Sequence, residues 1–87
     1  MEPTIITLDI EKTLLNPIVV DGQTISEIYL KILLLRPAIK RIVFITNELD
    51  RVIVYDGEAA YNAHKDDSQN TLIDALLAYI DANYTHA

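Results

Sequence analysis

The stretch from Thr24 to Leu35, TISEIYLKILLL, decides the fold class that the sequence predicts. It opens with a capping box, in which the Thr24 hydroxyl can accept from the Glu27 amide while the Glu27 carboxylate reaches back. The apolar positions then recur at i, i+3, i+4, i+7 and i+8; they are Ile25, Ile28, Tyr29, Ile32 and Leu33. Pro37 disfavours helical geometry at the residue before it. The pattern therefore predicts a first helix over residues 25–35.

Upstream of this stretch, the sequence alternates as a strand does. Residues 4–11 place branched aliphatic or leucine side chains on one face and polar side chains on the other, which predicts a half-buried strand. A second short strand is predicted over residues 17–20. Asp21-Gly22 then forms a tight turn, because glycine accepts a positive φ.

Downstream, two continuous apolar runs predict a β-hairpin. Residues 41–46 and 51–55 are rich in β-branched side chains, and residues 47–50 supply the loop. Their continuous apolar character indicates strands that are covered on both faces or lie centrally. A short helix is expected over residues 58–65. The last helix is predicted over residues 69–83, with an apolar stripe of Leu72, Ile73, Leu76, Leu77 and Ile80.

The predicted order of elements is β-β-α-β-β followed by one or two helices, which indicates a single α+β domain over residues 1–87. Helices alternate with strands too sparsely for a doubly wound parallel sheet. We therefore expect a four-stranded, mostly antiparallel sheet with the C-terminal helix packed on it. The ββαββ portion resembles the ubiquitin-like β-grasp domains in topology alone, since the chain carries no diagnostic motif of a family.

The composition argues against several classes of function. Thirteen acidic residues against seven basic ones give a net charge of −6, and residues 58–87 hold five carboxylates and one lysine. A chain this acidic repels phosphate, so we expect no nucleic-acid partner. The chain has no cysteine and only two glycines, which removes thiol chemistry, cysteine zinc sites and glycine-rich phosphate loops.

The sequence also bears on localisation. Its first residues show neither the basic region nor the apolar run of a signal peptide. The longest strongly apolar stretch, Ile28 to Leu35, is too short to span a bilayer. Together with the lack of cysteine, this predicts a cytoplasmic protein without a membrane partner.

The C-terminal third carries the candidate partner-binding residues. Three aspartates recur every seven residues, so only about 20° separates each from the next around a helix, and they form one acidic stripe. Three tyrosines lie in the same region, and tyrosine combines an apolar body with a polar tip. We expect these side chains to bind a protein with a basic surface, although a solvated helix face would show the same pattern. The candidates are Asp67, Asp74, Asp81, Tyr61, Tyr79 and Tyr84.

The first predicted helix is apolar nearly all round, and a helix of that kind is buried. One sheet of a small monomer cannot cover such a helix on every side, so a second helix or a second subunit must pack over it. Leu30 and Leu34 are the candidate self-association residues, and a homodimer is one of the two solutions.

Candidate catalytic chemistry is sparse. His64 lies beside Lys65 and two aspartates, so it could be a metal ligand, a general base or simply a solvated histidine. Ser26 and Ser68 occupy predicted capping positions and not nucleophile elbows. We therefore expect no catalytic residue, no resident metal ion and no cofactor.

These observations favour a small, acidic, non-enzymatic protein-binding module. Its size and charge suit an accessory or inhibitor protein of a mobile genetic element. A structural or assembly subunit that pairs through the first helix or an open sheet edge is the second hypothesis. A small metal- or ligand-binding enzyme built around His64 is the third.

Overall fold

The computed structural model describes residues 2–87, in which four strands precede two helices. The elements are β1 (Thr4–Val20), β2 (Gln23–Arg36), β3 (Arg41–Thr46), β4 (Arg51–Asp56), α1 (Glu58–His64) and α2 (Gln69–Asn83). Each strand pairs antiparallel with the next one in the chain, so the sheet order is β1-β2-β3-β4. The predicted four-stranded antiparallel sheet of an α+β protein is confirmed. The ββαββ order and its β-grasp resemblance are corrected, because within residues 2–87 no helix separates the strands.

The segment predicted as the first helix, residues 25–35, is instead the interior of β2. Its buried side chains alternate with one irregular step; they are Ile28, Leu30, Leu33 and Leu35. The three-residue step from Leu30 to Leu33 arises because Lys31 is an extra residue in the pairing with β3, a β-bulge. A bulge shifts the two-residue period by one position. The predicted helical stripe therefore mixes the two faces of this strand, since Ile28 and Leu33 lie in the core while Ile32 does not.

The residues of the predicted capping box have strand partners as well. Thr24 pairs with Val19, and Glu27 pairs with Thr13, both on β1. β2 is the neighbour of β1 on one side and of β3 on the other, so its backbone groups are satisfied along both edges. This tertiary environment overrides the local helical signal.

β1 is one 17-residue strand, where the sequence predicts two strands over residues 4–11 and 17–20. The predicted connection between them is an irregular part of the strand, in which residues 14–17 together oppose Ser26 of β2. Pro17 ends this part, and an edge strand tolerates proline because its outward N–H is not needed by the sheet.

The last residues of the chain lie along this same edge of β1. The Val19 amide donates to the Thr85 carbonyl at 2.8 Å, and the Ala87 amide donates to the Pro17 carbonyl at 3.0 Å. An isolated β-bridge joins the two segments between these bonds. The C-terminal residues therefore hold the end of α2 against the sheet.

Both predicted chain reversals are present. Asp21 and Gly22 have φ values of 51° and 78°, and the positive φ at both positions is what a type I′ turn requires. This turn joins β1 directly to β2. The β3–β4 hairpin closes through residues 47–50, where the Thr46 amide donates to the Asp50 carbonyl at 2.8 Å.

One core lies between the sheet and the two helices. All five residues of the predicted α2 stripe are buried, and α2 itself covers the predicted range. α1, predicted over residues 58–65, contributes Tyr61. The buried sheet residues of this core are Leu8, Leu14, Ile18, Ile28, Leu30, Leu33, Leu35, Ile42, Phe44 and Val52.

The opposite face of the sheet carries a second apolar set. Side chains alternate along a strand, so the neighbours of core-facing residues point to the other side. Cross-strand pairing aligns six apolar residues there in two adjacent rows. Among residues 2–87, the core cluster contains none of these six. We call this surface the open face; it consists of Ile5, Ile32, Leu34, Val43, Ile45 and Ile53.

Candidate protein-interaction surfaces

The helices and the C-terminal residues form a layer on one side of the sheet, which we call the helix layer (residues 58–87). It contains five carboxylates and a single lysine, so it carries −4 of the total charge of −6. The core cluster places both helices on the same face of the sheet. The fold thus turns an uneven distribution of charge along the chain into an acidic side of the molecule.

The three aspartates of the predicted acidic stripe have different surroundings. An Asp67 carboxylate oxygen lies 2.8 Å from His64 Nδ1. Asp81 accepts a hydrogen bond from the Asn16 side chain at 2.8 Å. Asp74 is exposed and, within residues 2–87, forms no side-chain hydrogen bond or ion pair. Of the stripe, Asp74 is the carboxylate that is open to a partner.

The three candidate tyrosines also differ. Tyr61 is only 6% exposed, and Lys40 Nζ lies 5.5 Å from its ring centroid. Its assignment to a partner-binding surface is wrong, because α1 turns this side chain into the core. Tyr79 and Tyr84 are half-buried and lie against the core from the helix layer. Burial, and to a smaller extent Tyr79, raises the pKa of the Tyr84 phenol, which keeps it neutral.

The two candidate self-association residues lie on opposite faces of β2. Leu30 is fully buried in the core, so its assignment to a subunit contact is wrong. Leu34 is half-buried on the open face, between its cross-strand partners Ile5 and Val43. Ile5 is 62% exposed. Leu34 is therefore accessible from outside, as part of a strand and not of a helix.

One end of the open face is acidic; we call Asp9, Glu11, Glu27 and Glu48 the acidic end. Glu11 lies opposite Tyr29 on the neighbouring strand. A hydrogen bond to Glu27, and then the charge of Glu27, raises the pKa of Glu11, with smaller contributions from burial and Glu48. The Glu48 carboxylate accepts from the Tyr29 amide at 2.8 and 3.1 Å. The Tyr29 hydroxyl donates to Asp9.

The other end of the open face is basic; we call Arg36 and Arg41 the basic end. The two arginines are cross-strand partners on β2 and β3. Arg41 Nε donates to an Asp56 carboxylate oxygen at 3.0 Å. Arg36 is half-buried and, in the described part of the chain, has no ion-pair partner. One arginine thus stays uncompensated beside another.

A surface cavity beside Arg36 is too small for a metabolite. Its volume is about 50 Å³, and its lining residues are Pro3, Arg36, Pro37 and Ala38. Small-molecule sites usually have volumes of roughly 300–1,000 Å³. This cavity does not provide a ligand site of that kind.

His64, the centre of the third hypothesis, has its contacts within the fold. Its ring stacks on that of Tyr55, with centroids 3.9 Å apart and 3° between the planes. Its Nδ1 atom is the group that faces Asp67. Over residues 2–87, no three His, Cys, Asp or Glu side chains are grouped so that they could hold a metal ion. His64 connects α1 to β4 and to the segment before α2.

A comparison of the chain with protein-family models, curated proteins and solved structures found no match. Neither helix of the described chain is long and apolar enough to cross a membrane. The helix layer and the open face are therefore the features from which a function can be inferred.

Sequence reasoning missed the open face, although a signal for it was present. The continuous apolar runs of residues 41–46 and 51–55 are typical of strands with apolar side chains on both sides. The structure places both helices on one side only. The strand register decides which residues share the other side of the sheet. That register cannot be read from the sequence, because each pair of strands contains a bulge or irregularity.

Proposed function

We propose that this protein is a small cytoplasmic protein-binding module without catalytic activity, which docks onto a basic surface of its partner through the helix layer. The observation that carries the proposal is the concentration of −4 of the net charge of −6 on that one side of the molecule. An accessory or inhibitor role of the kind encoded by mobile genetic elements would suit such a module.

The electrostatic reasoning concerns the outer side of α2. Asp74 and Asp81 are seven residues apart on α2, so about 10.5 Å separates them along its axis, which exceeds the Debye length of about 8 Å at physiological ionic strength. Salt therefore screens most of the effect of Asp81 on the potential at Asp74, and that effect grows as the salt concentration falls. Complementary potentials of this kind steer a basic partner into contact and set its orientation.

Two half-buried tyrosines support the proposal that the helix layer binds a partner. Tyr79 and Tyr84 lie in the helix layer with part of each side chain exposed. Tyrosine is enriched among the residues that contribute most to protein–protein binding, because a rigid ring and a hydroxyl group act together. A partner that meets the acidic stripe can also contact these rings.

The test is an affinity capture from extract of the native host with tagged wild-type protein and two charge-reversal variants. Asp74→Lys should retain several-fold less partner than wild type, and rising salt should weaken the wild-type capture, because a rim charge contributes through long-range attraction. Glu2→Lys is the matched control, since Glu2 is exposed and outside the helix layer. Equal capture by Asp74→Lys and wild type would contradict the proposal.

The structure also favours a second candidate function, that of a self-assembling subunit. That hypothesis named the apolar first helix or an open sheet edge; the first helix does not exist, but the open face offers a different apolar surface. For the enzyme hypothesis, the stacking of His64 on Tyr55 and its contact with Asp67 are consistent with a structural role, so we propose no site there.

A further inference from the structure

We propose that the open face is the interface of a symmetric homodimer in which two copies pack sheet against sheet with their strands antiparallel. This inference is independent of the helix layer, which lies on the other side of the sheet. It commits to a second copy of the chain as the occupant, for reasons of charge and symmetry.

The centre of the open face is apolar across the whole width of the sheet. One row crosses all four strands through Ile5, Leu34, Val43 and Ile53. The next row places Ile32 beside Ile45. Ile5 is 62% exposed, Ile32, Leu34, Ile45 and Ile53 are half-buried, and Val43 is buried between its neighbours in the row. Exposed apolar surface that is contiguous and rimmed by charge marks a site of association.

The charges at the ends of this apolar centre are opposite in sign. Along β2, the side chains on this face run from Glu27 and Tyr29 through Ile32 and Leu34 to Arg36. The acidic end and the basic end thus flank the apolar rows in the strand direction. At the acidic end carboxylates lie side by side, and at the basic end Arg36 lies beside Arg41, which is itself paired with Asp56.

When a second copy stacks on the open face, opposite charges meet at both ends in one orientation only. A twofold axis that lies between the two sheets and runs across the strands reverses the strand direction of the partner. It places the apolar rows of the two copies over each other and the basic end of each over the acidic end of the other. A twofold axis along the strands would instead set arginine over arginine. The face is therefore self-complementary, as a twofold interface must be.

The dimensions of the face fit such an interface. Four strands spaced about 4.8 Å apart and two rows of side chains, each about 6.6 Å wide along the strands, give an apolar centre of roughly 19 by 13 Å. That is about a third of the roughly 800 Å² that each partner buries in a standard interface, and the charged ends supply the rest. Lys31 at the bulge and Arg51 on β4 are exposed, and their long side chains can keep the charge at the rim.

Analytical ultracentrifugation of the full chain at several concentrations tests the proposal. Wild type should sediment as a dimer that dissociates on dilution, and Ile5→Lys should weaken the dimer without unfolding the monomer, because this side chain is largely exposed. Asp74→Lys, on the helix layer, should leave the dimer unchanged. A wild-type protein that stays monomeric at every concentration would overturn the proposal.

A charge exchange tests the orientation. Arg36→Glu and Glu11→Arg should each raise the dimer dissociation constant by about tenfold or more, because every substitution occurs twice in a symmetric interface. The double variant Arg36→Glu/Glu11→Arg should recover tight dimerisation, since each altered end again meets its opposite. Circular dichroism confirms folding of each variant. A folded double variant that dimerises no better than the single variants would contradict the antiparallel arrangement.

Discussion

At the scale of residues, Glu11 and Glu27 bring two carboxyl groups close together at the acidic end. A hydrogen bond between Glu11 and Glu27 needs a proton on one of them, and it raises the pKa of Glu11 above the ordinary value of 4.5. A raised pKa in the folded state means that this group stabilises the fold below its ordinary pKa. That stabilisation is lost as the pH rises through the folded-state pKa, after which the two carboxylates repel each other.

Replacing Glu27 by glutamine should therefore change the pH dependence of stability. Glu27→Gln removes the repulsion while keeping a hydrogen-bond donor for Glu11, so its melting temperature at pH 7 should exceed that of wild type. The difference should shrink as the pH falls below 4.5, where Glu11 of the wild type is protonated and the repulsion is lost. Thermal melts across this range measure the effect, and Glu2→Gln is the control. A variant that melts below wild type at pH 7 would refute this explanation of the acidic end.

At the scale of elements, the predicted helix cap at Ser68 is present, whereas the one predicted at Thr24 is not. The Ser68 hydroxyl accepts a hydrogen bond from the Thr71 amide at 3.2 Å at the start of α2, whereas Thr24 is an exposed strand residue paired with Val19. Ser68→Ala should cost about 1 kcal/mol of unfolding free energy, as loss of an N-cap typically does. Thr24→Ala should cost well under that, because an exposed strand position changes stability little.

Chemical denaturation of the two variants beside wild type provides the comparison. A larger loss for Thr24→Ala than for Ser68→Ala would mean that the capping box of the sequence is a real helix start. That result would also contradict the assignment of Gln23–Arg36 to strand β2.

Elements with an uninterrupted period could be predicted from the sequence. α2 has five apolar residues in helical phase and a serine cap, and its observed bounds are those predicted. The hairpin of β3 and β4 has β-branched runs and a polar loop. β2 could not be predicted, because the bulge at Lys31 breaks its two-residue period and because pairing with two neighbours outweighs local propensity.

At the scale of the whole molecule, the sheet divides the chain into two surfaces of different character. The helix layer is acidic and covers one face, while the open face combines an apolar centre with oppositely charged ends. Asp74 and Leu34 could be chosen from the sequence as surface candidates. Tyr61 and Leu30 could not be excluded, because helical phase over a short or misassigned element does not show which side faces the core.

The central claim is that residues 25–35 form a strand whose side chains divide between the core and the open face. Nuclear magnetic resonance of the uniformly labelled chain tests it directly through backbone chemical shifts and cross-strand proton contacts. We expect strand-type Cα and Cβ shifts throughout this segment, together with contacts from Leu34 to Ile5 and Val43. Helical shifts with sequential contacts four residues apart would contradict the claim and with it the existence of the open face.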